Sequence, residues 1–512
     1  MLFNNFTATM HHAIGILHIP STRQLMGEAY RGLSTGKPPD LSVTMLLFAV
    51  FAVSAASPPP ALLRSLEPSP EQATQAYQGY LRTARSFVEN IEAVSASTTA
   101  LAALTLLAYL ATNGSGHGLG GHLLRSQCYW MAHTMEIHRL DGSQRRAERK
   151  ANECNVIELE VQRRIWWNLV AADWLSVFSG STPEDAYLYH PSHMCVDLPS
   201  QLDDMDITAT GYRHPKPMSE PIASTFLIAR AKLASNCREV VDSMPSIAPG
   251  VEPSYDTILA LDARFYNCLA ELPPIFQLNQ DEAAQHRWAR KPYIRWQRIT
   301  MHLSVHTRLC RLHRPYYLKG MADPKYQYSR DVCVISAQVV LDLWHSMDEK
   351  KTNVGLTPDQ FWVVAQHAFS AALTLATDVS FDASAPDAAE RKAKVLAAHD
   401  ILERSTDGSC GFRETIEKNL CTFMATLNWQ GPSANNPTPG APSGVIRTPS
   451  DMNASGPADI PGLTGDGEES AEMIAPWNED WVKLWSEFLT VAPDLDFSQW
   501  DQILEGTDPH VF

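Results

Sequence analysis

The residues best placed to do chemistry lie in one stretch, "ELEVQRRIWWNLVAADWL", which runs from Glu158 to Leu175. Glu160 precedes Arg164 at the i,i+4 spacing that lets two side chains pair on one helix face. Asp173 follows inside an apolar run, where an unpaired carboxylate is costly. Carboxylates beside arginines can serve acid–base catalysis or ligand binding, or they can hold helices together.

The spacing favours the structural role for Asp173. Arg163 and Arg164 lie roughly 14 Å from Asp173 at about 1.5 Å of helix rise per residue, so neither can reach it. A catalytic acid would need a second titrating group nearby, and none is close in the sequence. We therefore expect Asp173 to pair with a residue of another helix, for which Arg314 is the candidate.

The other members of the stretch read as parts of a central helix. Apolar residues cover most of its circumference, which is typical of a buried helix. Trp166 and Trp167 are expected to pack in the core, and Glu160 and Arg164 are expected to form a surface pair. No catalytic residue is assigned.

Patterns typical of cofactor and metal sites fail on their context. Gly116, Gly118 and Gly121 match G-x-G-x-x-G, but the preceding "LAALTLLAYLAT" favours a helix, whereas a dinucleotide fold needs a strand there. The nine cysteines form no C-x-x-C pair, so no structural zinc site is expected. The sequence therefore assigns no cofactor and predicts no enzyme.

Helical periodicity runs through nearly all of the chain up to Trp429, and convincing strand pairs do not appear. The sequence predicts an all-α fold, with residues 1–428 as one large multi-helix domain. The apolar segment "LSVTMLLFAVFAVSAAS" is short for a membrane span and is expected to be a buried helix. No membrane association is expected.

The composition changes after Trp429. Residues 429–475 are rich in proline, glycine and serine and are predicted to be a disordered linker, since they cannot bury enough apolar area to fold. Residues 476–512 combine acidic residues with bulky aromatics. The aromatic residues of this acidic tail are candidates for partner binding: Trp477, Trp481, Trp485, Phe488, Phe497 and Trp500.

The tail has two interpretations. The first four of those aromatics share one helical face, and such acidic aromatic segments behave like transcriptional activation segments that fold into a partner's groove. The other interpretation is a helix docked on its own domain.

The net charge of −16 disfavours unaided nucleic-acid binding. Residues 286–298 interleave arginines with aromatics and are the best nucleic-acid candidate in the sequence.

Several motifs in order resemble the middle homology region of fungal transcription factors, the regulatory domain usually paired with a zinc binuclear cluster. They are "MAHTMEIHRL", "E-x-x-RR-x-WW", "VDLPSQLDDMDI" and "RLCRLHRPYYL". The resemblance implies structural signature roles for matching residues, namely Glu160, Arg163, Arg164, Trp166, Trp167, Asp173, Pro199, His313, Arg314 and Pro315.

The resemblance implies a nuclear transcriptional regulator, possible dimers, coactivator partners and a possible small-molecule effector. The six-cysteine zinc cluster of most relatives is absent from the sequence, so zinc is expected only if an amino-terminal cluster is missing. DNA contact is then expected from a partner or from that missing portion. The alternative is a decoy or repressor that dimerises with related factors.

Overall fold

The computed structural model describes residues 1–56, 70–90, 94–115, 119–178, 187–243, 254–279, 287, 288, 291, 293–317, 319–349, 362–382 and 384–405. These residues form α-helices joined by turns, which confirms the predicted all-α fold for the described part of the chain. The predicted linker and acidic tail lie outside the described residues.

The described helices range from four to twenty-five residues in length. In chain order they are α1 (Leu2–Ala8), α2 (His11–Ile14), α3 (Ile19–Ser34), α4 (Leu41–Ala55), α5 (Pro70–Glu89), α6 (Thr98–Ser115), α7 (Leu119–Thr134), α8 (Ser143–Ala151), α9 (Val156–Val177), α10 (Ala223–Ser243), α11 (Tyr255–Ala270), α12 (Tyr293–Tyr317), α13 (Lys319–Ala322), α14 (Gln327–Glu349), α15 (Trp362–Phe381) and α16 (Ala388–Ser405).

Two short antiparallel strands interrupt the helices. β1 (Ile207–Thr208) pairs with β2 (Gly211–Tyr212), and Ile207 lies opposite Tyr212. Each strand has two residues. This small hairpin follows the segment that packs along α9, and it does not alter the fold class.

The helices pack as two neighbouring groups that share one hydrophobic core. In the first group, α4 packs on α5 and α6, and α6 packs on α7. In the second, α12 packs on α14, which also contacts α15 and α16. The long helix α9 contacts α6, α7 and α10, so it lies at the centre of the arrangement.

The apolar segment near residue 45 is the helix α4, as predicted. Asp40 caps its amino terminus, because the carboxylate accepts a hydrogen bond from the backbone N–H of Ser42 at 2.8 Å. Met45, Ala49 and Val50 are completely buried. None of the described helices is both long enough and apolar enough to cross a membrane.

The central position of α9 follows from its sequence. Asn155 caps the helix by accepting hydrogen bonds from the backbone N–H groups of Ile157 and Glu158 at 3.1 and 3.3 Å. Beyond this cap, apolar residues face every direction, and Ile165 and Val170 are completely buried. A helix that is apolar all round must be covered on all sides.

Candidate functional site

Helix α9 holds the segment 187–206, which includes two short 3-10 turns at Pro191–His193 and Asp204–Asp206, along almost its whole length. At the amino-terminal end of the helix, Glu160 accepts a hydrogen bond from the backbone N–H of Ser200 at 2.8 Å. In the middle, the indole of Trp167 donates to the carbonyl of Asp197 at 2.8 Å. Near the carboxyl end, Trp174 donates to the carbonyl of Tyr189 at 2.9 Å. The signature residues of α9 therefore position this segment.

Asp141 is the ionic centre at the amino-terminal end of the site. Its buried carboxylate accepts hydrogen bonds from Arg163 at 2.6 and 2.9 Å, from Arg149 at 2.9 Å and from the backbone N–H of Asp197 at 2.9 Å. Burial opposes ionisation of this carboxyl, but the Arg163 hydrogen bond and the Asp197 N–H outweigh it and lower the pKa. Sequence reasoning missed Asp141.

Arg164 and Glu160 are buried, so the predicted surface pair is wrong. Arg164 is 0% exposed and Glu160 is 3% exposed. The spacing did bring the two side chains together, at 3.5 Å. The stronger partner of Arg164, however, is Asp204 at 2.6 Å, from the far end of the 187–206 segment. An i,i+4 spacing predicts proximity on a helix but not whether that face is solvated.

Glu160 and Asp204, the two acids beside Arg164, have pKa values shifted in opposite directions. Burial raises the pKa of Glu160 by more than Arg164 lowers it. For Asp204, burial is outweighed by Arg164 and His11, and the pKa is lowered. Asp204 also accepts the backbone N–H of Ile19 at 2.8 Å and thereby fixes the start of α3. The ion pair thus joins α9, the segment and the amino-terminal helices.

Trp166 and Trp167 lie in the core, at 1% and 9% exposure. The ring of Trp166 stands edge-on to Tyr189 with 5.1 Å between centroids, a favourable aromatic geometry. Pro199 is buried immediately before Ser200, where its fixed φ helps to hold the segment extended. These residues share one site along α9.

Asp173 has a different partner from the one predicted from the sequence. Its carboxylate accepts hydrogen bonds from the backbone N–H groups of Leu188 and Tyr189 at 2.8 and 3.1 Å. Burial raises its pKa to about 6, these hydrogen bonds oppose the rise, and Arg125 is the cation that acts on it. The expected ion pair with Arg314 is wrong, because backbone donors satisfy the carboxylate.

Arg314 lies on α12, apart from this site. Burial, with Arg311 nearby, lowers the pKa of Arg314 to about 9, and the thiols of Cys310 and Cys333 oppose that shift. Pro315 is exposed within the last turn of α12. Proline lacks an N–H, so Pro315 makes no hydrogen bond to the carbonyl of the residue four positions earlier in α12.

His313 forms a buried hydrogen-bonded chain that joins three helices. Its Nε2 lies 3.1 Å from Oδ1 of Asp262 on α11, and its Nδ1 lies 2.8 Å from Oγ of Ser329 on α14. Ser329 in turn donates to the hydroxyl of Tyr255 at 3.0 Å. Asp262 also accepts a hydrogen bond from Tyr328 at 2.7 Å. Sequence reasoning missed the part played by Asp262.

The hydrogen-bonded series of Ser329, His313 and Asp262 contains the three residue types of a hydrolytic triad. It does not have the geometry of one. In such a triad the serine hydroxyl bonds Nε2 of the histidine and the carboxylate bonds Nδ1. Here the two ring nitrogens are exchanged, and Ser329 and His313 are both 0% exposed. No substrate can reach the serine. These hydrogen bonds therefore have a structural role, which is to join α11, α12 and α14.

The metal, nucleic-acid and tail candidates of the sequence lie outside the site along α9. Among the described residues, no group of three or more His, Cys, Asp or Glu side chains is arranged to hold a metal ion. Residues 286–298 are described only in part; Arg295 donates to the carbonyl of Ser346 at 2.6 Å and Arg298 to that of Ile275 at 2.9 Å. Both arginines are thus engaged with their own domain. All aromatic residues assigned to the tail lie outside the described residues.

Comparison with known proteins identifies the domain. Residues 3–290 match the family described as fungal specific transcription factor domain. The chain is 27% identical to the probable transcription factor lepB of Aspergillus flavus, over 98% of this chain and 89% of that protein. It is 32% identical to the agnestins biosynthesis cluster transcription factor AgnL11 of Paecilomyces divaricatus, over 54% of this chain and 39% of that one.

A third relative and one solved structure are also similar to this chain. The chain is 31% identical to the transcription factor TAS2 of Pyricularia oryzae, over 40% of this chain and 26% of that protein. Its fold is similar to a chain in the structure of the K. lactis CBF3 core, with a TM-score of 0.53, 12% identity and coverage of 83% and 81%. AgnL11 and TAS2 are thus matched over less than half of their own lengths.

The matched region contains the central helix α9 and the whole segment that it holds. It spans more than half of the 512 residues, and the relatives named above are fungal transcription factors. The chain therefore belongs to the fungal specific transcription factor domain family and is a transcriptional regulator.

Proposed function

We propose that this chain is a nuclear regulator of RNA polymerase II transcription that controls a biosynthetic or catabolic gene cluster. The family match over residues 3–290 carries the proposal. The similarity to lepB along 98% of the chain supports a regulator of the same general organisation. The printed name of AgnL11, which assigns that protein to the agnestins biosynthesis cluster, supports the gene-cluster setting.

The DNA reader is a zinc cluster carried by a partner chain or by an amino-terminal segment. The nine cysteines of the sequence contain no C-x-x-C pair, so they lack the spacing of such a cluster. Cys128, Cys237 and Cys333 are buried in the helical core, where they pack as apolar side chains. The acidic net charge of −16 also argues against strong unaided contact with phosphates.

The chain divides by function into a helical regulatory domain over residues 1–428, a linker over 429–475 and an activation segment over 476–512. In the last of these, Lys483 is the one basic residue among many acids. Acids keep an aromatic stripe soluble until it binds a coactivator groove.

The activation segment can be tested by fusing residues 466–512 to an unrelated DNA-binding domain. The fusion should activate a reporter gene, and Trp481→Ala combined with Trp485→Ala should remove most of that activation. Ser486→Ala combined with Thr490→Ala, on the same segment, is the matched control and should keep it. An inert fusion, at normal protein level, would refute an activation role.

Deletion of the gene separates an activator from the decoy or repressor considered above. Loss of an activator lowers transcription of the target cluster, whereas loss of a decoy raises it. The measurement is transcript abundance of the neighbouring biosynthetic genes in the deletion strain, with the restored gene as control. A rise on deletion would replace the activator proposal with the decoy.

A further inference from the structure

Cys310 on α12 and Cys333 on α14 lie where these two helices touch. The Sγ atom of Cys333 donates a hydrogen bond to the backbone carbonyl of Cys310 at 3.4 Å. A side chain as short as that of cysteine reaches the backbone of a neighbouring helix only where the two helices approach closely. The contact therefore places the two cysteines opposite each other.

The contacts one turn to either side fix this alignment. On α12, one histidine precedes Cys310 by four residues and another follows it by three. Each lies within hydrogen-bonding distance of a serine on α14, and the partners occur in reverse order, as they do between antiparallel helices. The two contacts are His306 Nδ1 with Ser336 Oγ at 3.4 Å and His313 Nδ1 with Ser329 Oγ at 2.8 Å. Cys333 lies between these serines as Cys310 lies between the histidines, so both cysteines belong to the same layer of the helix contact.

Cys310 has the surroundings of a reactive thiol. Its Sγ atom lies 3.7 Å from the hydroxyl oxygen of Thr374 on α15, and Arg314 follows it by one turn on α12. Hydrogen bonding by the Cys333 thiol lowers the pKa of Cys310 to about 7; burial opposes this shift, and Thr374 and Arg314 add to it. A large share of Cys310 is therefore thiolate at neutral pH, and the thiolate is the form that reacts with oxidants.

The two cysteines differ in accessibility. Cys310 is partly exposed, whereas Cys333 is buried with 1% of its surface exposed. Burial also raises the pKa of Cys333, so this thiol keeps its proton. A small oxidant thus meets Cys310 first, and Cys333 is held beside it as the second thiol. Redox-sensitive cysteines commonly have this arrangement of a reactive thiol next to a resolving thiol.

We propose that Cys310 and Cys333 are an oxidation site, which hydrogen peroxide converts into a reversible disulfide between α12 and α14. The Cys310 sulfur attacks one peroxide oxygen, the O–O bond breaks, and water leaves with the Cys310 proton, which gives a sulfenic acid. The Cys333 sulfur then attacks the Cys310 sulfur, the S–O bond breaks, and a second water leaves with the Cys333 proton. The sulfurs lose one electron pair in total, the peroxide gains it, and one S–S bond forms.

The disulfide gives the helical domain a response to oxidants that is independent of the proposed function, because it requires neither the tail nor DNA. Disulfides of intracellular proteins are usually transient, and many of them sense redox conditions. A small thiol reverses this one by attacking a sulfur of the disulfide and forming a mixed disulfide. The oxidised and reduced forms differ in whether α12 and α14 are covalently joined.

The site is tested by peptide mapping of the purified full chain after treatment with hydrogen peroxide and blocking of the remaining thiols with iodoacetamide. Trypsin releases Cys310 in the peptide 309–311 and Cys333 in the peptide 331–350. Without reduction, most of the peptide 331–350 should be found joined to 309–311. Dithiothreitol should separate the two peptides.

Three single substitutions show which thiols are needed. Cys310→Ser and Cys333→Ser should each abolish the joined peptide. Cys268→Ser is the matched control, because Cys268 on α11 is also partly exposed, while burial raises its pKa to about 12. This control should form the link to the same extent as the wild type.

The mapping of the wild type decides the question even if a serine variant fails to fold. A disulfide from Cys310 to any cysteine other than Cys333 would overturn the proposal. Cys310 found as sulfinic acid with Cys333 still a free thiol would also overturn it, since the sulfurs would then not meet. If neither cysteine is oxidised by peroxide that oxidises the exposed Cys195, the site is refuted, whatever the reporter fusion shows.

Discussion

Arg164 on α9 and Asp204 on the 187–206 segment form an ion pair at 2.6 Å, with the arginine side chain completely buried. The same carboxylate accepts the N–H of Ile19, and Arg164 approaches the carbonyl of Leu17 at 3.4 Å. One pair of charges therefore connects the central helix, the segment it holds and the amino-terminal helices. This is the connection whose loss should most affect the helical domain.

Asp204→Ala should lower the free energy of unfolding by about 3–5 kcal/mol, the usual cost of leaving one charge of a buried pair without its partner. The measurement is urea unfolding of the full chain, followed by tryptophan fluorescence. A loss below about 1 kcal/mol would contradict the structural role of the pair.

A matched control comes from the same segment. Arg146 and Asp197 form an ion pair at 2.7 Å, with side chains 51% and 46% exposed. Arg146→Gln should change the free energy of unfolding by no more than about 1 kcal/mol, since solvent screens exposed pairs. Arg146 also donates to the carbonyl of Asp141 at 2.7 Å, so the limit of about 1 kcal/mol includes the loss of that hydrogen bond.

The sequence predicts the elements of this site better than its pairings. Apolar periodicity places α9 at the centre of the fold and puts Trp166 and Trp167 in its core, because local patterns depend on neighbouring residues. Arg164 and Asp204, however, are 40 positions apart and His313 and Asp262 are 51 apart. Such pairings depend on how helices pack, which a single sequence does not encode locally.

Asp173 illustrates a different limit. The sequence indicates that this buried carboxylate needs a partner, and physical reasoning favours a cation. The structure supplies the backbone N–H groups of Leu188 and Tyr189 instead. Backbone donors are present at nearly every residue and carry no side-chain signal, so no pattern could have identified them.

Asp173→Asn should make the protein less sensitive to pH. The folded pKa of Asp173 is about 6 and its ordinary value is 3.8. For a carboxyl with a raised folded pKa, the favourable contribution is complete below pH 3.8 and is lost as pH rises through 6. Stability of the wild type should therefore fall relative to Asp173→Asn between these values, as measured by urea unfolding across that pH range. Parallel curves for the two proteins would contradict this.

Asp173→Ala should lower the free energy of unfolding at neutral pH, whereas Asp173→Asn should not. Asparagine keeps an oxygen that accepts the two backbone N–H groups, whereas alanine leaves the buried N–H of Tyr189 without its acceptor. The alanine variant should lose about 1–3 kcal/mol of stability and should be less abundant in cells. An alanine variant as stable as the asparagine variant would show that these hydrogen bonds are unimportant.

Ser329→Ala should affect stability and no chemical reaction. The hydroxyl lies between Nδ1 of the buried His313 and the hydroxyl of Tyr255. Its removal leaves Nδ1 without a partner and should cost about 1–3 kcal/mol in urea unfolding. Ser346→Ala is the control on the same helix; that hydroxyl bonds the carbonyl of Leu343 in its own helix, and its loss should cost less.

A serine-directed fluorophosphonate should leave the folded wild type unlabelled, because Ser329 is 0% exposed and faces the wrong ring nitrogen for a nucleophile. Labelling of Ser329 in the folded protein would make the chain an enzyme and overturn the structural reading of His313.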